Sequence, residues 1–217
     1  MTIRHHPSDE LLTAFAAGTL DRGQHIGVAT HLAGCPRCRG WQRTMEQVGG
    51  TVLASLPPST MSGDALARVE ARLDAPARAA RMTAPPAPSA VDDVPRLPAF
   101  VRRYPWGRWT WVAPRVHLRR MLLPDDDGAR VFLLRSGAGT NLLQHTHTGM
   151  EMTCVLVGGF SHDGGHYGPG DFDLGDPTVD HQPLVDPGED CVCLVAMEGQ
   201  LRLNGLIGRV MQPFIRM

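Results

Sequence analysis

Residues 139–158 read GTNLLQHTHTGMEMTCVLVG, with two histidines one residue apart and a glutamate four residues after the second. Side chains at alternate positions of a β-strand point to the same face, so His145 and His147 can bind one metal ion together. Glu151 follows a short turn and adds a carboxylate. This stretch predicts a metal site inside a small β-barrel.

Gly139 and Gly158 complete the pattern Gly-x5-His-x-His-x3-Glu-x6-Gly. Its spacing and residue types resemble the first motif of the cupin superfamily, and the resemblance covers roughly residues 96–196. The alternative is a solvent-facing strand with two polar histidines between ordinary turn glycines. His-x-His alone would fit that alternative, but the glutamate and both glycines at the family spacing favour a cupin.

The second cupin motif is incomplete. Residues 167–172, YGPGDF, resemble the family's proline-glycine turn before a strand, but Asp173 stands where the motif places a histidine. The fourth ligand must then be His162, His166 or His181. We favour His181 because it follows that turn, on the segment expected to return along the barrel. The two glycines between His162 and His166 predict a loop for that pair.

A second cluster lies near the N-terminus, where His31, Cys35 and Cys38 form His-x3-Cys-x2-Cys. At about 100° per residue, the three side chains fall within an arc of about 60° on one helix. Gly34 is a natural helix stop and Pro36 favours the start of a new helix, so Cys35 is expected at the joint of two helices. Free backbone N–H groups there favour the thiolate that a metal requires.

Two thiolates and one imidazole leave one position of a tetrahedral site open. His6, just before the first predicted helix, is the expected fourth ligand, and neighbouring His5 is the alternative. A redox Cys-x2-Cys of the thioredoxin type needs a strand in front of it, whereas residues 21–33 read as helix. The pattern predicts a zinc site formed by His6, His31, Cys35 and Cys38.

The spacing His6-x24-His31-x3-Cys35-x2-Cys38 resembles the zinc-binding anti-sigma domain. Followed by a cupin-like domain, it makes the whole chain similar to the ChrR-type anti-sigma factors. The resemblance implies that the helical domain holds an extracytoplasmic-function sigma factor inactive. It also implies that singlet oxygen or peroxide, acting on the cupin domain, releases the sigma factor.

The apolar pattern predicts a multi-domain fold, α followed by all-β. A small helical zinc-binding bundle is expected over residues 1–75, an Ala- and Pro-rich linker over 76–95, and a cupin β-barrel or sandwich that serves as a metal-binding sensor over 96–217. The linker composition cannot build a core, so the two domains are expected to reorient. Helices are predicted over 8–20, 22–33, 36–54 and 62–74, and strands over 109–112, 116–118, 129–134, 141–147, 152–157 and 191–196.

Cys191 and Cys193 lie one residue apart on the last predicted strand, so both sulfurs face the same side of it. Alternation with the apolar Val192 and Leu194 leaves open whether that side is the barrel interior or its outside. The pair is either two small apolar residues in a packed strand or a redox sensor. The family resemblance, which places a cysteine pair beside the cupin metal, favours the sensor.

Composition limits the location and the partners of the chain. A net charge of −1 without a basic block argues against direct binding to nucleic acid. Five cysteines, two of them in a zinc motif, and the lack of an N-terminal apolar run predict a reducing, cytoplasmic compartment. The apolar runs are too short for a membrane span.

We therefore expect an anti-sigma factor rather than an enzyme, with two zinc ions per chain, of which the cupin ion could differ in the cell. One alternative is a cupin dioxygenase or isomerase with iron or manganese on His145, His147, Glu151 and His181. The sequence offers no set of acid, base and substrate-anchoring residues beyond those ligands, and an enzyme has no evident use for the zinc module. A cupin-linked sensor with a partner other than a sigma factor is the third reading.

Overall fold

The computed structural model describes residues 2–74, 91, 93–123 and 130–203. Within these ranges helices precede strands, which confirms the predicted fold class. The helices are α1 (Asp9–Ala17), α2 (Arg22–Gly34), α3 (Pro36–Ser55), α4 (Ala65–Asp74) and α5 (Ala99–Arg102). None of the helices in the described part of the chain is long and apolar enough to cross a membrane.

Local signals in the sequence set the helix boundaries. The side chain of Ser8 accepts a hydrogen bond from the backbone of Leu11, and Asp21 accepts one from Gln24, so both residues act as N-caps. Cys35 ends α2 and also precedes α3, as predicted. Its side chain makes no capping hydrogen bond, which leaves the sulfur free for another partner.

Three antiparallel sheets follow, with strand orders β1-β2-β3-β10-β5-β8, β11-β4 and β7-β6-β9. The strands of the six-stranded sheet are β1 (Thr110–Ala113), β2 (Val116–Arg120), β3 (Arg130–Ser136), β5 (Glu151–Val157), β8 (Phe172–Gly175) and β10 (Cys191–Met197). The short strands are β4 (His145–His147), β6 (Phe160–His162), β7 (Gly165–Tyr167), β9 (Leu184–Val185) and β11 (Leu201–Leu203). Side chains from all three sheets share one inner core, as in a cupin barrel.

Strand β10 lies at the centre of the large sheet, between β3 and β5, and every residue of it is buried. Its side chains pack alternately into two hydrophobic cores. Cys191 and Cys193 point into the barrel, whereas Val192, Leu194 and Ala196 face the helices. Because both faces are covered, apolar alternation could not show which way the cysteines point.

Helix α2 packs against the outer face of the large sheet. A Cβ added to Gly27 would lie 3.4 Å from the Cβ of Ala196 and 3.5 Å from that of Met152, so the helix backbone approaches β5 and β10 closely. The helices and this face of the sheet form one hydrophobic core. The expectation that the halves reorient does not fit this packing, because the outer face of the sheet is apolar and needs a cover.

The end of the predicted linker also belongs to the core. Val91 and Val94 are buried, and the guanidinium of Arg102 donates hydrogen bonds to the carbonyl oxygens of both. An Ala- and Pro-rich composition therefore did not exclude packing at these valines. Residues 75–90 and 92 lie outside the described residues, and so do residues 204–217 of the predicted cupin domain.

Other differences concern short strands. His162 and His166, predicted to lie in a loop, are in the β6–β7 hairpin, which turns through the glycines between them. The strand predicted over 141–147 is reduced to β4, and Asn141 makes only an isolated bridge with Leu184. Strands of two to four residues carry too little sequence pattern to be predicted. Ala129, predicted to begin a strand, lies outside the described residues.

Candidate metal centres

The four N-terminal candidates lie together, and we call them the helical set: His6, His31, Cys35 and Cys38. Helix geometry places three of them, since His31 is in the last turn of α2, Cys35 is at the joint and Cys38 is in the first turn of α3. The segment before α1, residues 2–7, is the N-terminal arm and brings in His6. Three of the four side chains are buried, and that of His6 is partly buried.

The spacing within the helical set is uniform. His6 Nδ1 lies 3.4 Å from His31 Nε2, 3.5 Å from Cys35 Sγ and 3.4 Å from Cys38 Sγ, and His31 Nε2 lies 3.3 Å from Cys38 Sγ. Zinc bonds of about 2.0–2.3 Å in a tetrahedron give ligand separations of about 3.3–3.8 Å. The donor atoms therefore fit one tetrahedral ion with two sulfur and two nitrogen ligands.

Burial keeps His31 and Cys38 uncharged unless a cation is bound. Desolvation lowers the pKa of His31 to about 4, and desolvation together with the hydrogen bond that the Cys38 thiol donates to Cys35 raises the pKa of Cys38 to about 12. His31 Nδ1 donates a hydrogen bond to the carbonyl oxygen of Gly170, 2.9 Å away, so its Nε2 is the nitrogen available to a metal. A cation would have to displace the thiol proton, as structural zinc does.

His5, the alternative to His6, has a different role. Its ring packs at a tilt against Tyr167 with centroids 4.2 Å apart, and its backbone N–H donates to Asp171 Oδ1 at 3.0 Å. Its carbonyl oxygen accepts a hydrogen bond from the backbone N–H of Phe172. His5 therefore attaches the arm to the barrel and leaves His6 to face the cysteines.

The second group, which we call the cupin set, consists of His145, His147, Glu151 and His181, with all four donor atoms within 4.8 Å of one another. Strand β4 directs both of its histidines inward, and Glu151 begins β5. His181 pairs with His145 in an isolated bridge, and their Nε2 atoms lie 3.0 Å apart. His147 Nε2 lies 3.2 Å from Glu151 Oε2.

Steric constraints explain why the first motif has glycine at both of its ends. Gly139 and Gly158 adopt φ values of 69° and 64°, in the left-handed region that favours glycine. A Cβ at Gly158 would also lie 2.6 Å from the carbonyl oxygen of Asp190. The motif therefore encodes two turns that only glycine accommodates easily, and these turns position the strands that carry the ligands.

Electrostatics in the cupin set favour a bound cation. His145 Nδ1 donates a hydrogen bond to the carbonyl oxygen of Leu143, which leaves Nε2 available. Desolvation lowers the pKa of His181 to about 4, and its Nδ1 has no hydrogen-bond partner in the described part of the chain. Burial alone would raise the pKa of Glu151, but the hydrogen bond and charge of His147 lower it overall. Three imidazoles and a carboxylate fit zinc, iron or manganese.

A further pair lies beside the cupin set and was not predicted as a unit. His162 Nε2 lies 3.0 Å from Asp173 Oδ2, and both groups are close to His181. Asp173 was recognised only as a departure from the second motif, and His162 was assigned to a loop. Their proximity depends on the pairing of β5 with β8 and of β6 with β7, which no local pattern encodes.

The barrel contains a partly open cavity of about 120 Å³ with mostly apolar walls. Three members of the cupin set, His145, Glu151 and His181, line it together with Cys191 and Cys193. The two sulfurs lie 3.6 Å apart. Cys191 and Cys193 therefore face the barrel interior, a question that the sequence left open, and they line the same cavity as the candidate ligands.

Comparison with known proteins finds a matching family for each half of the chain. The ChrR cupin-like domain family matches residues 102–201, and a zinc-finger family matches residues 8–39. The anti-sigma-E factor ChrR of Cereibacter sphaeroides is 38% identical over 221 residues, which is 100% of both chains.

One solved structure agrees with this match. The crystal structure of Rhodobacter sphaeroides SigE in complex with the anti-sigma ChrR contains a chain that is 34% identical, with a TM-score of 0.73, covering 91% of this chain and 100% of that one. An RmlC-like cupin protein of Ralstonia eutropha is 17% identical, with a TM-score of 0.42, covering 52% of this chain and 80% of that one. Because a relative 38% identical spans its full length, the chain belongs to the ChrR family of anti-sigma factors.

Proposed function

We propose that this protein binds an extracytoplasmic-function sigma factor through its helical half and keeps the sigma factor from RNA polymerase. The observation that carries the proposal is the helical set, which joins three segments of the helical half in a chain similar over its full length to an anti-sigma factor. A zinc ion bound there would supply structural cross-linking of the N-terminal arm, α2 and α3.

The surface proposed to bind the sigma factor consists of exposed apolar side chains on the last turns of α3 and on α4. Leu53 is 70% exposed and Leu73 is 79% exposed, which is unusual for leucine. The full group is Val48, Val52, Leu53, Leu56, Leu66, Val69 and Leu73. Exposed apolar helix faces of this kind are typical of a protein interface.

The barrel is proposed to be the sensor for singlet oxygen or peroxide. The imidazoles of His145 and His181 and the thiols of Cys191 and Cys193 are oxidisable groups that line one mostly apolar cavity. Oxidation would add polar oxygen atoms to that apolar surface, where polar groups without hydrogen-bond partners are unfavourable, and the wall would have to move to satisfy them. The displaced wall includes strands against which α2 packs, so its displacement would alter how the helical half binds the sigma factor.

The test is co-purification from cells that express the tagged full chain together with candidate sigma factors. We expect one sigma factor to be retained at equal stoichiometry. Val69→Asp places a charge on the apolar face of α4 and should abolish retention, whereas Ala71→Asp places the same charge on the opposite face and should not. Retention of a metabolic enzyme complex in place of a sigma factor, or equal effects of the two substitutions, would contradict the proposal.

A further inference from the structure

The turn before β8, residues 168–171, contacts the helical set although it belongs to the barrel. The carbonyl oxygen of Gly170 accepts the hydrogen bond from His31 Nδ1. This contact fixes the tautomer and the ring orientation of a candidate ligand. The helical half is therefore incomplete without a backbone group supplied by the cupin half.

Asp171 holds the N-terminal arm that carries His6. Its Oδ1 accepts hydrogen bonds from the backbone N–H groups of Arg4, at 2.6 Å, and His5, at 3.0 Å, and its Oδ2 accepts one from Gly168, at 2.9 Å. The residue is only 4% exposed. A buried carboxylate satisfied by three backbone donors forms strong, directional bonds. Its position determines where the arm enters the helical set.

The same short segment reaches the cupin set. Two residues after Asp171, Asp173 is hydrogen-bonded to His162 and lies beside His181. The ring of Tyr167 stacks on that of His162, with centroids 5.0 Å apart. It also contacts the tilted ring of His5 in the arm, with centroids 4.2 Å apart. One continuous run of packed groups therefore connects the two candidate metal centres.

We propose that Gly170 and Asp171 are positioning residues for the helical set, and that the barrel controls the metal affinity of that set through them. The inference rests on the proposed metal binding by His6, His31, Cys35 and Cys38. Displacement of the turn before β8 withdraws the hydrogen-bond acceptor of His31 and releases the arm with His6. Two of the four ligands are then no longer held in place.

The coupling is reciprocal, as any linkage between two binding sites must be. Metal binding to the helical set fixes the arm, and the arm in turn fixes the turn before β8 and the start of that strand. A barrel whose wall is held in this way resists displacement more strongly.

The test uses the full chain loaded with cobalt(II), because charge-transfer absorption from thiolate to cobalt reports only a site with cysteine ligands. A chelator is added and the decay of that absorption is followed. We expect Asp171→Asn to accelerate the decay about 10- to 100-fold, the usual cost of removing a group that orients a metal ligand. The amide loses the charge and turns a donor toward the N–H of Gly168.

Gly170→Ala is the second variant. A Cβ there would lie 2.8 Å from the Cδ1 and Cγ1 atoms of Ile3 in the arm, and φ is +94°, so the arm has to move. Asp190→Asn is the matched control, since the Asp190 carboxylate also accepts a backbone hydrogen bond, but from Ala138 rather than from the arm. The thiolate–cobalt absorption of Asp190→Asn should decay at the wild-type rate.

Each result decides the inference. Faster loss of the thiolate-bound cobalt in Asp171→Asn and Gly170→Ala, with the second cobalt retained in elemental analysis, supports it. Equal decay rates in all proteins, or simultaneous loss of both ions from a damaged barrel, would overturn it. Wild-type protein without any thiolate–cobalt absorption would instead contradict the proposed metal binding by the helical set.

Discussion

The two ring nitrogens of His31 serve two different parts of the molecule. Nδ1 donates to the carbonyl oxygen of Gly170 in the barrel, whereas Nε2 faces the cysteines of the helical set. His145 repeats the arrangement in the barrel, with Nδ1 bonded to the carbonyl oxygen of Leu143. At both centres a backbone acceptor selects the nitrogen that can bind a metal, and this selection needs no charged neighbour.

Metal content tests the two sets at the level of single residues. The double variant His145→Ala, His147→Ala removes two imidazoles from the cupin set, so we expect about one ion per chain in place of two. Elemental analysis of purified full-length protein gives the count. Replacing His117 and His166, which belong to neither set, in the same way should leave two ions, and a wild-type count of one would rule out two separate centres.

Cys38→Ala removes a buried thiolate from the helical set, whose metal binding is coupled to folding. We expect the helical half to lose several kcal/mol of stability and sigma binding to fall below detection. Isothermal titration with the purified sigma factor measures the binding. Cys154→Ala is a suitable control, because Cys154 is equally buried but belongs to neither set.

At the scale of elements, the sequence was most informative where a site is built from neighbours in the chain. The His-x-His and Glu of the cupin set and the joint at Cys35 lie within one or two elements, so spacing alone predicted their arrangement. The contacts of His31 with Gly170 and of Arg4 with Asp171 join residues 139 and 167 positions apart. No periodicity encodes such a contact, because it depends on how α2 packs on the sheet.

The packing of α2 on the sheet should depend on pH through Glu198. Hydrogen bonding with Asp21, followed by desolvation, raises the pKa of Glu198 to about 7, and Gln24 of α2 donates to Glu198 at 2.7 Å. A carboxyl with a raised pKa stabilises the fold below its unfolded pKa, near 4.5, and this stability is lost as pH rises through about 7. Glu198→Gln mimics the protonated form.

Thermal unfolding measures this dependence. We expect Glu198→Gln to unfold at a higher temperature than the wild type at pH 8 and at the same temperature near pH 5. A difference that is equal at both pH values would indicate a packing effect without titration. Glu189→Gln, an exposed glutamate in a loop of the barrel, serves as the control and should show no pH-dependent difference.

At the scale of the whole molecule, inhibition and sensing are expected to separate. Glu151→Gln and His181→Ala remove a metal-binding group without adding atoms to the cavity, so the barrel wall and the turn before β8 stay in place. A sigma-dependent reporter should then remain repressed, and illumination with a photosensitiser should not induce it. Normal induction in these variants would remove the cupin set from the signalling path.

A fragment of residues 1–85 is expected to inhibit the sigma factor when zinc is plentiful, because it contains the helical set and the exposed surfaces of α3 and α4. It lacks Gly170 and Asp171, so inhibition should fail at lower chelator concentrations than in the full chain. In vitro transcription with a chelator titration compares the two proteins. Equal chelator sensitivity would mean that the barrel does not contribute to metal retention.

The burial of strand β10 between two cores also affects how the protein is synthesised. The ribosome completes α2 roughly 160 residues before it reaches this strand, a delay of about 10–30 s at typical elongation rates. During that interval the apolar side of α2 that carries Ile26 has no sheet to cover it. A nascent chain therefore transiently exposes an apolar surface that can associate with other chains. Its best protection is early capture of the sigma factor or a chaperone during translation, so expression together with the partner should raise the soluble yield.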